Sequence, residues 1–319
     1  MKINKNIIVE GKHQKPIVTD VFYKENHQLK PVVIFCHGYK GFKDWGAWNL
    51  MAAAFAKAGF FFVKFNFSHN GGTVNQPIDF PDLEAFGNNN YTKELDDLES
   101  IINWVSSNSD YQNEIDLENI SLIGHSRAGG IVTIKSEENT QIKKVISLAG
   151  VCDFGKRTAT SGDLELWKKD GVKYVLNGRT KQNMPHFIQF YEDFKQNLTA
   201  TTKAGKTPIV GIKELMSART RPTAIMCGND VLAAGVLREA QKMKIAVPDQ
   251  ISVTGFDDIE LAEIVSPSLT TVHVPHREMG RKAARELVAM VEGTSEGRST
   301  CINTHVKFRH SLGRPPAQS

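Results

Sequence analysis

Along most of the chain, the hydrophobic and polar positions follow either a strand-like or a helix-like period. Short apolar runs rich in β-branched and aromatic residues, typical of strands, recur before stretches with apolar residues three and four positions apart, typical of amphipathic helices. The pattern predicts strands at residues 7–10, 17–23, 32–36, 60–67, 120–123, 144–148, 223–227, 251–255, 269–274 and 301–308. It predicts helices at residues 47–58, 93–106, 231–244 and 277–292. Strands that alternate with helices predict an α/β fold: a mostly parallel, doubly wound sheet with helices on both faces.

Length and composition narrow the class of protein. The chain has 319 residues, enough for two domains or one large α/β domain, and its 40% of apolar residues excludes a disordered or collagen-like chain. A net charge of +4 is too small to indicate nucleic-acid binding by itself. The four cysteines stand far apart, the N-terminus has no apolar signal segment, and the longest apolar runs are strand-sized. We therefore predict a cytoplasmic protein with no disulfide framework, metal, cofactor or membrane association.

Composition changes abruptly near residue 200. Of the 27 aromatic residues (17 Phe, 4 Trp and 6 Tyr), only Phe256 and Phe308 come later in the chain. We interpret this as two segments of different origin, 1–200 and 201–319, joined in the polar stretch 197–207. The alternative is that the aromatic residues cluster around one site. Residues 152–200 are mixed and polar, and have the size of a lid.

The first candidate chemistry is a GxSxG-like turn. Gly124-His125-Ser126-Arg127-Ala128-Gly129 follows the predicted strand 120–123 and opens a helical stretch. A sharp strand-to-helix turn exposes a serine hydroxyl at the carboxyl end of a sheet, and small neighbours permit its strained backbone. The last glycine of the pattern is replaced by Ala128, which is still small. The context predicts that Ser126 is a nucleophile.

A second element suits the same chemistry. His37-Gly38-Tyr39 directly follows the predicted strand 32–36. The backbone N–H groups of Tyr39 and Arg127 are therefore predicted to stabilise an oxyanion that develops beside Ser126. His69 and His125 flank this region, and we interpret both as polar filling residues, because the sequence offers neither of them a partner.

These motifs, together with the run ISLAGVCDF after the next strand, carry a family resemblance. Residues 1–200 resemble α/β-hydrolases of the dienelactone-hydrolase and bacterial esterase type. The resemblance implies the chain order Ser, Asp or Glu, then His for a catalytic triad. Both partners of Ser126 would then come after residue 200.

The second segment carries a different resemblance. The runs CGND, VPDQISVTGFDD and SLTTVHVP make residues 211–314 similar to the C-terminal effector-binding part of the lactose-repressor (LacI/GalR) family of transcription regulators. The resemblance implies that Asn229 and Asp257 hydrogen-bond the hydroxyls of a sugar-like ligand, whereas the alternative is that they cap turns and helices. No helix-turn-helix precedes this stretch, so direct DNA binding is not expected. The oligomeric state is left open.

The second segment supplies only part of what a hydrolase needs to complete a catalytic triad with Ser126. Asp230 follows a predicted strand, close to the position of a triad acid, but the loop after strand 251–255 holds no histidine. We predict His276 as the base, with His273 as the alternative. Three functions remain: a carboxylesterase that acts on small acyl esters, inactive if the base is absent; a sugar-effector-binding module; or a recombined chimera with neither activity.

Overall fold

The computed structural model describes residues 1–148, 150–151, 154, 163–198, 216, 222–291, 294–295 and 302–314. The chain divides into two units, Met1–Gly211 and Ile212–Ser319. Their junction lies outside the described ranges, as does the predicted boundary between residues 200 and 201. Each unit has a buried apolar core of its own, and each combines parallel strands with helices. The predicted α/β class is confirmed.

Unit 1 is built on a six-stranded sheet. Its strands are β1 (Lys2–Val9), β2 (Ile17–Tyr23), β3 (Lys30–Cys36), β4 (Phe61–Phe65), β5 (Ile115–His125) and β6 (Ile142–Leu148). The spatial order is β1-β2-β4-β3-β5-β6, in which β4, β3, β5 and β6 run parallel and β1 and β2 are antiparallel at one edge. The central strands are buried almost throughout, as expected for parallel strands covered on both faces. The edge strand β1 is largely exposed, which is why its polar pattern predicts only its last residues.

Helices cover both faces of this sheet. They are α1 (Trp48–Lys57), α2 (Leu83–Gly87), α3 (Tyr91–Ser107) and α4 (Arg127–Glu138). On one face, Ala52 and Ala56 of α1 pack among the side chains of β3 and β4. On the other face, α3 and α4 pack against the same strands. Helix α3 begins where the Asn90 side chain accepts a hydrogen bond from the Lys93 N–H, 2.9 Å away.

The segment predicted as a lid is packed into unit 1 over residues 163–198. It contains α5 (Leu164–Asp170), the antiparallel hairpin β7 (Val172–Leu176) and β8 (Asn183–Phe187), α6 (Gln189–Asp193) and a π-helical turn, Phe194–Leu198. Trp167 and Phe190 belong to the main apolar core of the unit. Phe187 lies directly on α2, since a Cβ at Gly87 would be 2.8 Å from its ring. The hairpin is therefore held by the same core that supports the sheet.

Within its described residues, unit 2 contains a four-stranded sheet. Its elements are β9 (Ala224–Met226), α7 (Asp230–Lys242), β10 (Ser252–Asp257), α8 (Leu261–Ile264), β11 (Thr270–His273), α9 (His276–Val291) and β12 (His305–Lys307). β9, β10 and β11 are parallel, and β12 closes the edge antiparallel to β11. Helix α7 packs on the sheet through Ala233, Val236 and Leu237. Across the described ranges, no helix has both the length and the apolar character that crossing a membrane requires.

Candidate active site

Ser126 occupies the turn between β5 and α4, in a backbone conformation that serine rarely adopts. Its φ is 54° and its ψ is −117°. The Ser126 N–H donates to the Leu148 carbonyl at 2.8 Å, and the Ser126 carbonyl accepts from Gly129 and Val151, each at 3.0 Å. Ser126 is thus strained, and three backbone hydrogen bonds hold it in this conformation. A nucleophile elbow requires this geometry.

Small residues around Ser126 make this turn possible. A Cβ at Gly124 would lie 2.2 Å from the Ala128 carbonyl oxygen, so no side chain fits at position 124. Ala128 is completely buried, and its methyl group is accommodated where the GxSxG pattern has its second glycine. The departure from the pattern at this position therefore leaves the turn intact.

The loop after β3 lies directly against the elbow. A Cβ at Gly38 would be 2.8 Å from the Ser126 Cβ and 2.8 Å from the His125 carbonyl oxygen. Within the described part of unit 1, the backbone N–H groups of Tyr39 and Arg127 have no recorded acceptor. The structure thus brings the Gly38–Tyr39 loop and Ser126 together.

A buried network of ion pairs holds the loop that follows β3 in place. The Lys43 and Lys64 ammonium groups each contact both Asp20 and Asp44, at 2.6–2.8 Å. Three of these four side chains are almost fully buried, and Asp44 is 15% exposed. Lys64 lies on β4 and Asp20 on β2, whereas Lys43 and Asp44 belong to the loop that follows Tyr39. This network was not predicted from the sequence, where its signal is an aspartate and a lysine, Asp20 and Lys64, within otherwise apolar strand runs.

Histidines near the elbow are committed to other partners or lack a hydrogen bond to the serine. His37 is buried, with Nδ1 3.0 Å from the Gly38 carbonyl and Nε2 accepting from the Phe67 N–H, and burial lowers its pKa to about 4. His69 pairs with the Ser68 hydroxyl at 2.8 Å, and burial lowers its pKa to about 4 as well. Partial burial lowers the pKa of His125. Among the described residues of unit 1, none of these rings is hydrogen-bonded to the Ser126 hydroxyl.

In unit 2 the predicted acid and base are not hydrogen-bonded to each other. The buried Asp230 carboxylate accepts from the Thr271 hydroxyl at 2.5 Å and from the Ile259 N–H at 2.9 Å. The His276 side chain is 59% exposed, and its Nε2 lies 3.9 Å from Asp257 Oδ1. Asp230 is thus engaged by β11 and by the loop after β10.

A different histidine of unit 2 is oriented by a carboxylate. His273 Nδ1 lies 2.7 Å from Asp258 Oδ2, and the His273 ring is partly exposed. Burial opposes ionisation of Asp258, but hydrogen bonds from Arg309, Lys307 and His273 outweigh it and lower the Asp258 pKa to about 2. Residues 257 and 258 both have positive φ, 107° and 57°, which turns the Asp258 side chain towards β11.

The two residues predicted to bind a ligand lie at the carboxyl ends of β9 and β10. The Asn229 side chain caps α7 by accepting from the Leu232 N–H at 2.8 Å, so its oxygen has a structural role. The Asp257 carboxylate is about one-third exposed, and among the described residues its recorded charge partner is His276. Helix capping therefore explains the position of the Asn229 side chain, whereas Asp257 caps no helix among the described residues.

Comparisons with known proteins match both segments. A family profile described as alpha/beta hydrolase fold matches residues 31–207, and one described as periplasmic binding protein-like domain matches residues 185–312. The ribose operon repressor of Haemophilus influenzae is 34% identical over 184 residues, 57% of this chain and 49% of the repressor. The HTH-type transcriptional repressor PurR of Vibrio atlanticus is 41% identical over 86 residues, 27% of this chain and 26% of PurR. The chain thus spans about a quarter to a half of the length of these curated relatives.

Solved structures are similar to the chain in fold alone. DcsB in complex with its substrate analogue has a TM-score of 0.54 at 11% identity, covering 91% of this chain and 99% of DcsB. Est1E from Butyrivibrio proteoclasticus, bound to ferulic acid, has a TM-score of 0.50 at 12% identity, covering 90% and 98% of the two chains. The sequence therefore joins an α/β-hydrolase segment to a periplasmic-binding-protein-like segment, as both resemblances predict.

Proposed function

Because the chain belongs to the α/β-hydrolase fold family, we propose that it is a serine hydrolase, a carboxylesterase that cleaves small acyl esters through Ser126. The observation that carries this proposal is the Ser126 backbone, with φ 54° and ψ −117°, against the Gly38–Tyr39 loop. A serine that only fills a turn does not require this strain. The N–H groups of Tyr39 and Arg127, which have no acceptor among the residues that the structure describes, support an oxyanion hole beside it.

The proposed reaction has two steps. Ser126 Oγ attacks the ester carbonyl carbon while its proton passes to an imidazole, and the oxyanion is held by the two backbone N–H groups. The alcohol leaves with that proton, and the acyl group stays on Ser126. A water molecule then attacks the acyl carbonyl, gives a proton to the same imidazole and releases the acid. The imidazole finally returns its proton to Ser126.

His276 and Asp230 remain the predicted base and acid. Within unit 2, however, the Asp230 carboxylate accepts its hydrogen bonds from Thr271 and Ile259. His273 is the alternative base, and within unit 2 its Nδ1 lies 2.7 Å from Asp258 Oδ2. Which histidine serves is decided by comparing His276→Ala with His273→Ala.

Covalent labelling tests the proposal without assuming a substrate. The purified chain is incubated with a fluorophosphonate probe, digested with trypsin and analysed by mass spectrometry. We expect the label on the peptide of residues 94–127, no label in Ser126→Ala, and unchanged labelling in Ser106→Ala, a helix-surface control. The histidine variant that slows labelling identifies the base. Labelling that survives Ser126→Ala, or is absent from the unmodified chain, would overturn the proposal.

A second candidate function is the binding of a sugar-like small molecule by unit 2. It is favoured by the partly exposed Asp257 carboxylate at the end of β10, whose charge partner among the described residues is His276, 3.9 Å away. Strand ends in parallel sheets are where such ligands bind. Here too, the binding function is a proposal.

Calorimetry with D-ribose, chosen because one relative is a ribose operon repressor, tests this second candidate. We expect measurable binding heat and a loss of affinity of about tenfold or more in Asp257→Ala, because a hydrogen bond to a charged group is removed. Asp249→Ala, at an exposed position, should bind like the unmodified chain. Absence of binding heat, or equal affinity in both variants, would exclude D-ribose binding at this site.

A further inference from the structure

The side chains of the two proposed oxyanion donors contact each other. The Arg127 guanidinium carbon lies 4.5 Å from the centre of the Tyr39 ring. The same guanidinium is 5.2 Å from the Phe190 ring and 5.6 Å from the Tyr91 ring. All three distances are within the range of cation–π attraction. Side-chain packing thus links the loop after β3, which carries one donor, to the start of α4, which carries the other.

Each member of this pair is fixed at its outer end by a polar partner. His186 Nδ1 is 2.8 Å from the Pro185 carbonyl, which accepts only from a protonated nitrogen. Nε2 is therefore the acceptor, and the Tyr39 hydroxyl donates to it at 2.7 Å. Arg127 Nη1 donates to Glu94 Oε1 at 2.9 Å, and Asn89 donates to the same oxygen at 2.8 Å.

Both contacts are partly buried. Burial lowers the His186 pKa to about 3 and raises the Tyr39 pKa to about 12, so this hydrogen bond keeps a neutral donor and a neutral acceptor. The Glu94 and Arg127 side chains are 5% and 13% exposed, which shields their ion pair from solvent. His186 lies on β8 of the hairpin and Glu94 on α3, so two distant elements converge on the elbow.

We propose that His186 and Glu94 are positioning residues for the oxyanion hole, holding the Tyr39–Arg127 pair and, through it, the spacing of the two backbone donors. The inference rests on the proposed function of Ser126. An oxyanion hole stabilises the transition state only when its donors are held within a few tenths of an ångström of the productive geometry. His186, on β8 of the hairpin, would then support catalysis without contacting the substrate.

A mutant cycle with p-nitrophenyl butyrate tests the His186 contact. We expect His186→Leu and Tyr39→Phe each to lower kcat about tenfold, with KM unchanged within twofold. The double variant should be no slower than either single variant, since both remove one hydrogen bond. His186→Gln, whose amide oxygen still accepts from Tyr39, should recover most of the rate. Additive losses, a change confined to KM, or no rescue by glutamine would overturn the assignment.

The Glu94 contact is tested in the same assay. Glu94→Ala frees the Arg127 guanidinium and should lower kcat about tenfold, whereas Glu94→Gln keeps an acceptor and should lose less. His27→Leu, whose side chain is 79% exposed, is the matched control and should leave kcat unchanged. Equal losses in the alanine and glutamine variants would overturn the role of Glu94.

Hydrogen–deuterium exchange separates this inference from the proposed function. We expect the backbone amides of residues 37–46 to exchange faster in His186→Leu and Glu94→Ala than in the unmodified chain. If the unmodified chain shows no turnover dependent on Ser126, the proposed function fails, and faster exchange would still support the positioning of the loop. Unchanged exchange in both variants would overturn the positioning itself.

Discussion

Gly38→Ala is expected to lower Ser126-dependent ester hydrolysis by a factor of about 100 or more. The added Cβ would stand 2.8 Å from both the Ser126 Cβ and the His125 carbonyl oxygen, closer than a methyl group can approach either atom. Neither neighbour can move easily, because β5 pairs with β3 and β6 on its two sides and Ser126 is bonded to Leu148. The loop after β3 must therefore shift, and the Tyr39 N–H shifts with it. Loss of one oxyanion donor typically costs a factor of about 100 to 1,000 in kcat.

The measurement is kcat for p-nitrophenyl butyrate, with circular dichroism to show that the variant is folded. Gly178→Ala is the matched control, because a Cβ there meets no atom within 4 Å and its backbone permits alanine. We expect the control to have the rate of the unmodified chain. A folded Gly38→Ala protein with a rate within about threefold of the unmodified chain would contradict the oxyanion role of this loop.

Asp97→Asn is expected to stabilise unit 1 at pH 8 by up to about 4 kcal/mol and to leave its stability at pH 4 nearly unchanged. The Asp97 side chain is completely buried on α3. Burial raises its pKa from 3.8 to about 7, and nearby Glu94 adds to the rise, although hydrogen bonds from Ser68 oppose it. One carboxyl oxygen has no donor among the described residues. Asparagine removes the charge and keeps a similar shape.

The sign follows from proton binding. In the unfolded chain Asp97 loses its proton near pH 4, whereas the folded chain holds it until about pH 7. The free energy of unfolding therefore falls between these two values and stays lower above pH 7. In Asp97→Asn this loss should be absent.

Urea unfolding at pH 4 and pH 8, followed by tryptophan fluorescence, tests the prediction. All four tryptophans lie in unit 1, at positions 45, 48, 104 and 167, so the signal reports on that unit. Asp96→Asn is the control: Asp96 is partly exposed and paired with Lys12 and His13, so its loss should change stability by less than about 1 kcal/mol at either pH. A variant that is not stabilised at pH 8 would contradict the raised pKa.

Apart from the first residues of β1, local sequence was sufficient for the strands of both sheets and for the turn that carries Ser126. It was also sufficient for the helices predicted at 47–58, 93–106, 231–244 and 277–292. Each of these follows from residues within about ten positions of one another: alternation for strands, a 3.6-residue period for helices, and small residues around the serine. The two family resemblances were likewise contained in short contiguous motifs, and both are confirmed by the matching family profiles. The hairpin at 172–187 was missed because its strands are only five residues long and most of their residues are at least partly exposed.

The surroundings of Ser126 were decided by tertiary structure. Tyr39 meets His186 across 147 positions, Arg127 meets Glu94 across 33, and Lys64 meets Asp20 across 44. Asp97 lies within an amphipathic helix, yet it is its packing in unit 1 that buries the carboxylate and raises its pKa. The periodicity of the sequence predicts which face of a helix or strand is apolar, because the apolar face is set by residues that are close together in the chain. The sequence by itself thus determined the two families, their strands and helices, and the nucleophile turn. Only the tertiary structure decided which polar side chains meet in the interior, because such contacts depend on how distant elements are stacked.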